Sequence, residues 1–337
     1  MTETQELPVA ADAERRTDLC LCVTYLRATE RAALAGARWL GRADQEGAEE
    51  AATSGMRSAL GELPMCGRVV VGAVESEPGD DGTETIGAGG IDVDLALDPL
   101  EGRGVVARGG NGAISMIVAA EPGKLRRLPD MYMRTIAVGP RAQGKISLLS
   151  PVGGNVRAIA DAFGRNVGDV TTIVLDRPRH HDLIEEIRAA GARIKLIQDG
   201  TVTAAISAAI RGTNDHLAIG IGGTRQAVLT AGALRCLGGE VQAQLWPTSR
   251  REIEAAREYG VEDVEQVFTT EDLVGGNVIV AVTGVSNGDL LRGVRFLADS
   301  ARTHSLVMCT RCNWVRFDDG IHFFARERRE EVRLLGY

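Results

Sequence analysis

The chain has 337 residues, 44% hydrophobic and 25% charged, with a formal net charge of −8. Those are ordinary globular values, with ample core for one large domain or two. No Lys/Arg-rich tract offers a positive stripe to nucleic acid, and no run of about 18 apolar residues offers a membrane span.

Residues 1–15 read as a disordered lead-in, polar and acidic, with neither a signal h-region nor a transit pattern, so the expected compartment is the cytoplasm. Apolar residues recur every three to four positions in "LCLCVTYLRATERAALAGARWLG" (19–41), which predicts a long helix, and "EGAEEAATSGMRSALGEL" (46–63) predicts a second. "GRVVVGAV" (67–74) predicts a buried strand running into a Gly/Asp/Glu-rich loop (75–90). "IDVDLALD" (91–98) alternates as a strand, and "NGAISMIVAA" (111–120) and "MYMRTIAVG" (131–139) follow as two more.

The second half changes rhythm. Helices are predicted at 155–164, 180–191, 201–212 and 224–239, with strands at 169–176, 192–199 and 216–223 between them. That βαβα alternation argues for a largely parallel sheet covered by helices. Late strands are expected at 277–284 and 303–311, and a boundary near 139–154 separates an N-terminal half (16–145) from a C-terminal half (146–337).

Of the cysteines Cys20, Cys22, Cys66, Cys236, Cys309 and Cys312, only "CTRC" (309–312) has metal-ligand spacing. No second CxxC or His pair completes a zinc site, and "CLC" sends two thiols to different sides of a helix, so reduced cytosolic thiols are expected.

Several segments, in order, resemble the class II fructose-1,6-bisphosphatase family and its bifunctional fructose/sedoheptulose bisphosphatase relatives. They include "TERAALAGARWLGRAD", "DVDLALDPLEG", "PDMYMRTIAVGP", "LDRPRHHDLIEEIRAAGARIKLIQDGTV", "GIGGTRQAVLTAGALRCLGG" and "NVIVAVTGVSNGDLLRGV". The resemblance implies an α/β, layered α-β-α-β-α sugar-phosphatase fold shared with inositol monophosphatases. It also implies a homo-oligomer and Mn²⁺- or Mg²⁺-dependent hydrolysis of a phosphorylated sugar.

On the substrate side the family's positions match Tyr132, Arg177 and Arg179 (flanked by His180), Asp199, Gly200, Thr201 and Gly223. Arginine's forked donors suit phosphate oxygens, and glycine after a strand lets backbone amides approach an anion.

The metal side departs from the family. Its first acid matches Glu49, its second falls on Ala73, Asp98 and Glu101 are kept, its last Glu falls on Gln226, and its threonine is Arg103. One unit charge at 4 Å is worth roughly 4 kcal/mol at an effective dielectric of 20, so fewer acids and an added cation predict at most one ion. Glu75 lies on the same strand face as Ala73, about 6.6 Å further along, and with Glu77, Asp80 and Asp81 is a source of a replacement carboxylate. Glu75 or Glu49 is the candidate general base, and Arg103, at a turn expected to be buried, is expected to pair with Glu101 or Asp98 and help hold a phosphate. The readings left open are a one-metal sugar-bisphosphate phosphatase, a phosphosugar-binding paralogue without turnover, and a metal-free phosphosugar enzyme.

Overall fold

The computed structural model describes residues 22–72 and 84–324. The expected lead-in at 1–15, together with Cys20, Ala73, Glu75, Glu77, Asp80 and Asp81, lies outside those residues.

The described residues begin with α1 (Cys22–Ala37) and α2 (Gln45–Gly61), then β1 (Met65–Val71), β2 (Glu84–Ile86), β3 (Ile91–Glu101), the short α3 (Arg103–Ala107) and β4 (Ile114–Ala120). It continues through β5 (Tyr132–Val138), α4 (Val152–Phe163), β6 (Thr171–Leu175), α5 (His181–Ala189), β7 (Arg193–Ile197), α6 (Thr201–Ala209), β8 (Leu217–Gly223) and α7 (Thr224–Leu237). The remainder is β9 (Glu240–Leu245), α8 (Arg250–Glu258), β10 (Val267–Thr269), α9 (Thr270–Leu273), β11 (Val278–Gly284), β12 (Arg295–Phe296), β13 (Ser300–Cys309) and β14 (Trp314–Phe323).

Two mixed sheets result. The first runs β12-β13-β11-β4-β3-β1-β2, with β14 on the other edge of β13. The second runs β10-β9-β5-β8-β6-β7. The expectation of a largely parallel second sheet holds for β7, β6 and β8. It fails for β5, β9 and β10, which join antiparallel. The reason is topological: β5 arrives from the N-terminal half and wedges between β8 and β9, while β11 to β14 return to complete the first sheet.

Side-chain alternation explains the packing. β4 is buried at every position because both of its faces are covered. Met116 and Val118 face α6 and α7, while Ile117 and Ala119 face α1 and α2. The α6–α7 layer also contacts Met133, Ala218 and Ala243 of the second sheet, whose other face packs Ile136, Val174 and Leu217 against α4 and α5. Among the described residues no helix is long and apolar enough to cross a membrane.

This arrangement points the start of α6, after β7, and the start of α7, after β8, at the end of β3. Helix N-termini following strand ends are natural places for anions.

Candidate functional site

Asp98 and Glu101 end β3. Three positions apart on a regular strand they would face opposite ways. Pro99 between them brings no backbone donor, and the β3–β4 register shifts between Asp98 and Glu101, so a bulge interrupts the alternation. Both side chains are buried, and their charges sense one another.

Asp98 accepts from Gln226 Nε2 at 3.1 Å. Burial is the largest influence on its carboxyl and raises it to about 6, opposed by Arg225 and the Gln226 hydrogen bond and reinforced by Glu49. Glu101 Oε1 accepts from Thr201 Oγ1 at 3.3 Å and from the Val202 amide at 3.4 Å, at the start of α6. Burial first, then Asp98 and Asp199, push Glu101 up to about 8. Its other oxygen, Oε2, is buried without a hydrogen-bond partner. At neutral pH the turn therefore holds a proton that a cation would displace.

Arg103 corrects an expectation. It pairs with Glu49 of α2, and not with Asp98 or Glu101. Its side chain is 56% exposed, so the cost of an unpaired buried charge, which motivated the expected pairing, does not arise. The cation nearest in effect to Asp98 is instead Arg225, one position before Gln226 in the first turn of α7.

The residues expected to grip phosphate assemble on the neighbouring edge. Tyr132 opens β5 opposite Gly223 of β8, and the Arg179 guanidinium lies over its ring, 5.0 Å from the centroid. Arg179 donates to the Ile221 carbonyl at 2.9 Å, and Arg177 donates to the carbonyls of Gln198 at 2.5 Å and Asp176 at 3.2 Å. These acceptors are neutral, and no ion pair joins either arginine to a carboxylate among the described residues.

His180 buckles this turn to β8. Its buried ring donates from Nδ1 to the Leu175 carbonyl at 2.9 Å and accepts at Nε2 from the Ile221 amide at 2.8 Å. Burial, then the nearby Arg179 and Arg177 charges, lower its pKa and favour the neutral ring that this bonding needs.

Asp199 accepts from the Gly200 amide at 2.9 Å, and Gly200 takes a left-handed φ of +90° to start α6. Gly223 precedes α7, and a Cβ there would come within 2.6 Å of Gln226 Oε1. A cleft of about 360 Å³ adjoins, sharing Asp199 and Gly200 and lined also by Arg108, Asn111, Lys195 and Asp289.

Two strand-to-helix junctions thus join the ends of the site. Between β7 and α6, Gln198 holds Arg177 and Thr201–Val202 hold Glu101. Between β8 and α7, Ile221 holds Arg179 and Gln226 holds Asp98. Each junction carries a cation at one side and a carboxylate at the other.

A family profile described as bacterial fructose-1,6-bisphosphatase, glpX-encoded, matches residues 20–322. The chain belongs to that class II family. A D-fructose 1,6-bisphosphatase class 2/sedoheptulose 1,7-bisphosphatase of Synechococcus sp. (strain JA-3-3Ab) is 39% identical over 342 residues, 93% of this chain and 99% of the relative. The protein so named from Synechococcus sp. (strain JA-2-3B'a(2-13)) is 38% identical over 333 residues, covering 90% of this chain and 95% of the relative. One from Acaryochloris marina (strain MBIC 11017) is 35% identical over 346 residues, covering 94% of this chain and 99% of the relative.

In this class II chain, then, Asp98, Glu101, Asp199 and Thr201 come together, as do Tyr132, Arg179 and Gly223. Glu49 stands near enough to raise Asp98 but is turned to Arg103, and Thr201 spends its hydroxyl on Glu101. Among the described residues no three carboxylates each offer an oxygen within 4.8 Å of the others. Arg225 and the buckling role of His180 escaped the sequence reading. "RPRHH" and "GGTRQ" contain them, but nothing local separates a buried histidine or a site-facing arginine from a solvated turn.

Proposed function

We propose that this chain binds a sugar bisphosphate of the fructose 1,6- or sedoheptulose 1,7-bisphosphate kind and hydrolyses one phosphate with a single divalent ion. The observation that carries the proposal is the pair of junctions that set two arginines, paired with no carboxylate among the described residues, beside a buried acidic turn. The arginines suit one phosphate and the acidic turn suits a cation facing the other. The donor set fits one ion, since Asp98 and Glu101 are hard oxygen ligands and Glu101 Oε2 has no other partner. Mn²⁺ or Mg²⁺ there supplies Lewis-acid polarisation of a phosphoryl oxygen.

The chain's own groups do the rest. Arg177 and Arg179 hold the distal phosphate, Tyr132 backs Arg179, and Asp199, Gly200, Thr201 and Gly223 line the sugar path. Thr201 and the Val202 amide fix Glu101, and Gln226 fixes Asp98. Pairing of Glu49 with Arg103 supports assigning the proton-accepting role to Glu75.

The test is phosphate release from fructose 1,6-bisphosphate with and without added Mn²⁺. Release that needs Mn²⁺ and is abolished by Asp98→Asn supports the proposal. A second reading, a binding paralogue without turnover, draws on the Gln226–Asp98 bond and the Arg103–Glu49 pair, which occupy groups a metal would use. Ligand-induced thermal stabilisation without phosphate release at any metal concentration would select it.

We further read the helix and sheet succession as the five-layer sugar-phosphatase fold, with the acidic turn in 16–145 and the arginines in 146–337, in a cytoplasmic homo-oligomer. The last point draws on β14, an edge strand that exposes Val315, Phe317, Ile321 and Phe323 from alternate positions.

A further inference from the structure

The tip of the β13–β14 hairpin carries Cys309-Thr310-Arg311-Cys312-Asn313. Its backbone folds so that two thiols share one approach. The Cys312 amide donates to Cys309 Sγ at 3.4 Å, and Asn313 turns the chain through a left-handed φ of 51°.

A third thiol arrives from the other end of the chain. Cys22 opens α1, and the sulfurs of Cys22, Cys309 and Cys312 all lie within 4.8 Å of one another. Cys22 and Cys309 are buried and Cys312 half-buried, with Leu26, Val307, Ile279 and Trp314 around them. Cys236, near the end of α7, lies close enough to Cys309 to feel its charge. Burial first, then Cys309, push its thiol up to about 12.

Small buried thiols commonly pack as hydrophobes. That role accounts for burial, but not for three sulfurs sharing one point with a backbone amide directed at one of them. A zinc ion at 2.3 Å from each sulfur needs sulfurs about 3.8 Å apart, a closure of about 1 Å from the limit seen here.

We propose that Cys22, Cys309 and Cys312 form a three-thiolate site for Zn²⁺ that ties the start of α1 to the β13–β14 hairpin. Among the described residues no fourth ligand atom shares that spacing. Soft thiolates select zinc, whereas hard carboxylates suit Mn²⁺ or Mg²⁺, so this site and the acidic turn take different ions. Cys236 is ten positions beyond Gln226 in α7, about 15 Å along a helix, which also separates the two sites in space.

The test uses the full chain, reduced and stripped of metal, titrated with Co²⁺ and then with Zn²⁺. The expected result is a sulfur-to-cobalt charge-transfer band that saturates at one equivalent and is bleached by Zn²⁺. Asp98→Asn should leave the band unchanged, because carboxylate-bound cobalt does not produce it. Cys312→Ser, at the half-exposed and so most tolerant position, should weaken Zn²⁺ binding at least about 100-fold, beyond the loss typical of a residue that only supports a ligand. Cys66→Ser should change nothing. A reduced wild-type chain with no charge-transfer band overturns the proposal, as does a Cys312→Ser chain that keeps full affinity. So does mild oxidation that consumes two thiols in a chain whose reduced form takes up no metal, which would assign the cluster to disulfide chemistry.

Discussion

The arginines at the two ends of the site are held in opposite ways. Arg177 and Arg179 rest on backbone carbonyls and an aromatic face, so their charge stays available to an incoming anion. Arg103 is matched to Glu49, and Arg225 acts on Asp98. One end therefore keeps its positive charge for a ligand, while the other has its negative charge partly cancelled by the protein and partly by protons. Affinity for a phosphate should be robust, and affinity for a metal ion weak and dependent on pH.

The largest effect is expected from reversing the cancellation. Ala73→Glu, Arg103→Thr and Gln226→Glu together should tighten Mn²⁺ binding at least about 100-fold by calorimetry, since each nearby unit charge is worth roughly 4 kcal/mol at an effective dielectric of 20. Turnover should rise with it. A triple variant that binds the ion tightly yet stays inert would show that lost charge is not what limits the chemistry.

At the other end, Arg177→Ala or Arg179→Ala should raise the dissociation constant for fructose 1,6-bisphosphate about 10- to 100-fold, the range for a charged hydrogen bond. Neither change should move Mn²⁺ affinity measured without substrate. A shift in both constants would mean that the two ends do not act separately.

A smaller effect concerns protons. Asp98 and Glu101 have carboxyls raised to about 6 and about 8, so the folded chain binds protons that the unfolded chain releases at lower pH. Their contribution to the stability of the metal-free chain is then fully present below about pH 4, near the unfolded values, and is lost as pH rises through 6 and 8. Glu101→Gln should flatten that decline and raise the melting temperature at pH 8 by at least about 3 °C in chelator. Equal pH dependence in the variant would remove Glu101 as its source. The smallest effect belongs to the Arg103–Glu49 pair, which is largely exposed. Glu49→Gln alone should change unfolding free energy by no more than about 1 kcal/mol in denaturant titrations.

Much of the architecture was legible in the chain itself. The strand and helix order of the second half follows from apolar periodicity, and β4 from an apolar run broken only by Ser115. The patterns of α8 and β14 are weaker in the sequence. α8 buries only Ala256, so its apolar stripe is faint, and β14 alternates between half-buried and exposed positions without a core-facing run. Tyr132, Arg177, Arg179 and Gly223 could be named as candidates only through the family resemblance, and the partner of Arg103 not at all. Ion pairing there depends on where α2 lies relative to the end of β3, and no local pattern encodes that.

By itself the sequence determined which segments alternate, where the glycine turns fall and which residue types each motif offers, because these rest on steric and solvation preferences acting over a few positions. Only the tertiary structure decided that a bulge at Pro99 turns Asp98 and Glu101 toward one another, that Arg103 meets Glu49, and that Cys22 reaches the CTRC turn. Those outcomes join residues held together only by the order of strands in the sheets, a long-range property that no short window of sequence contains.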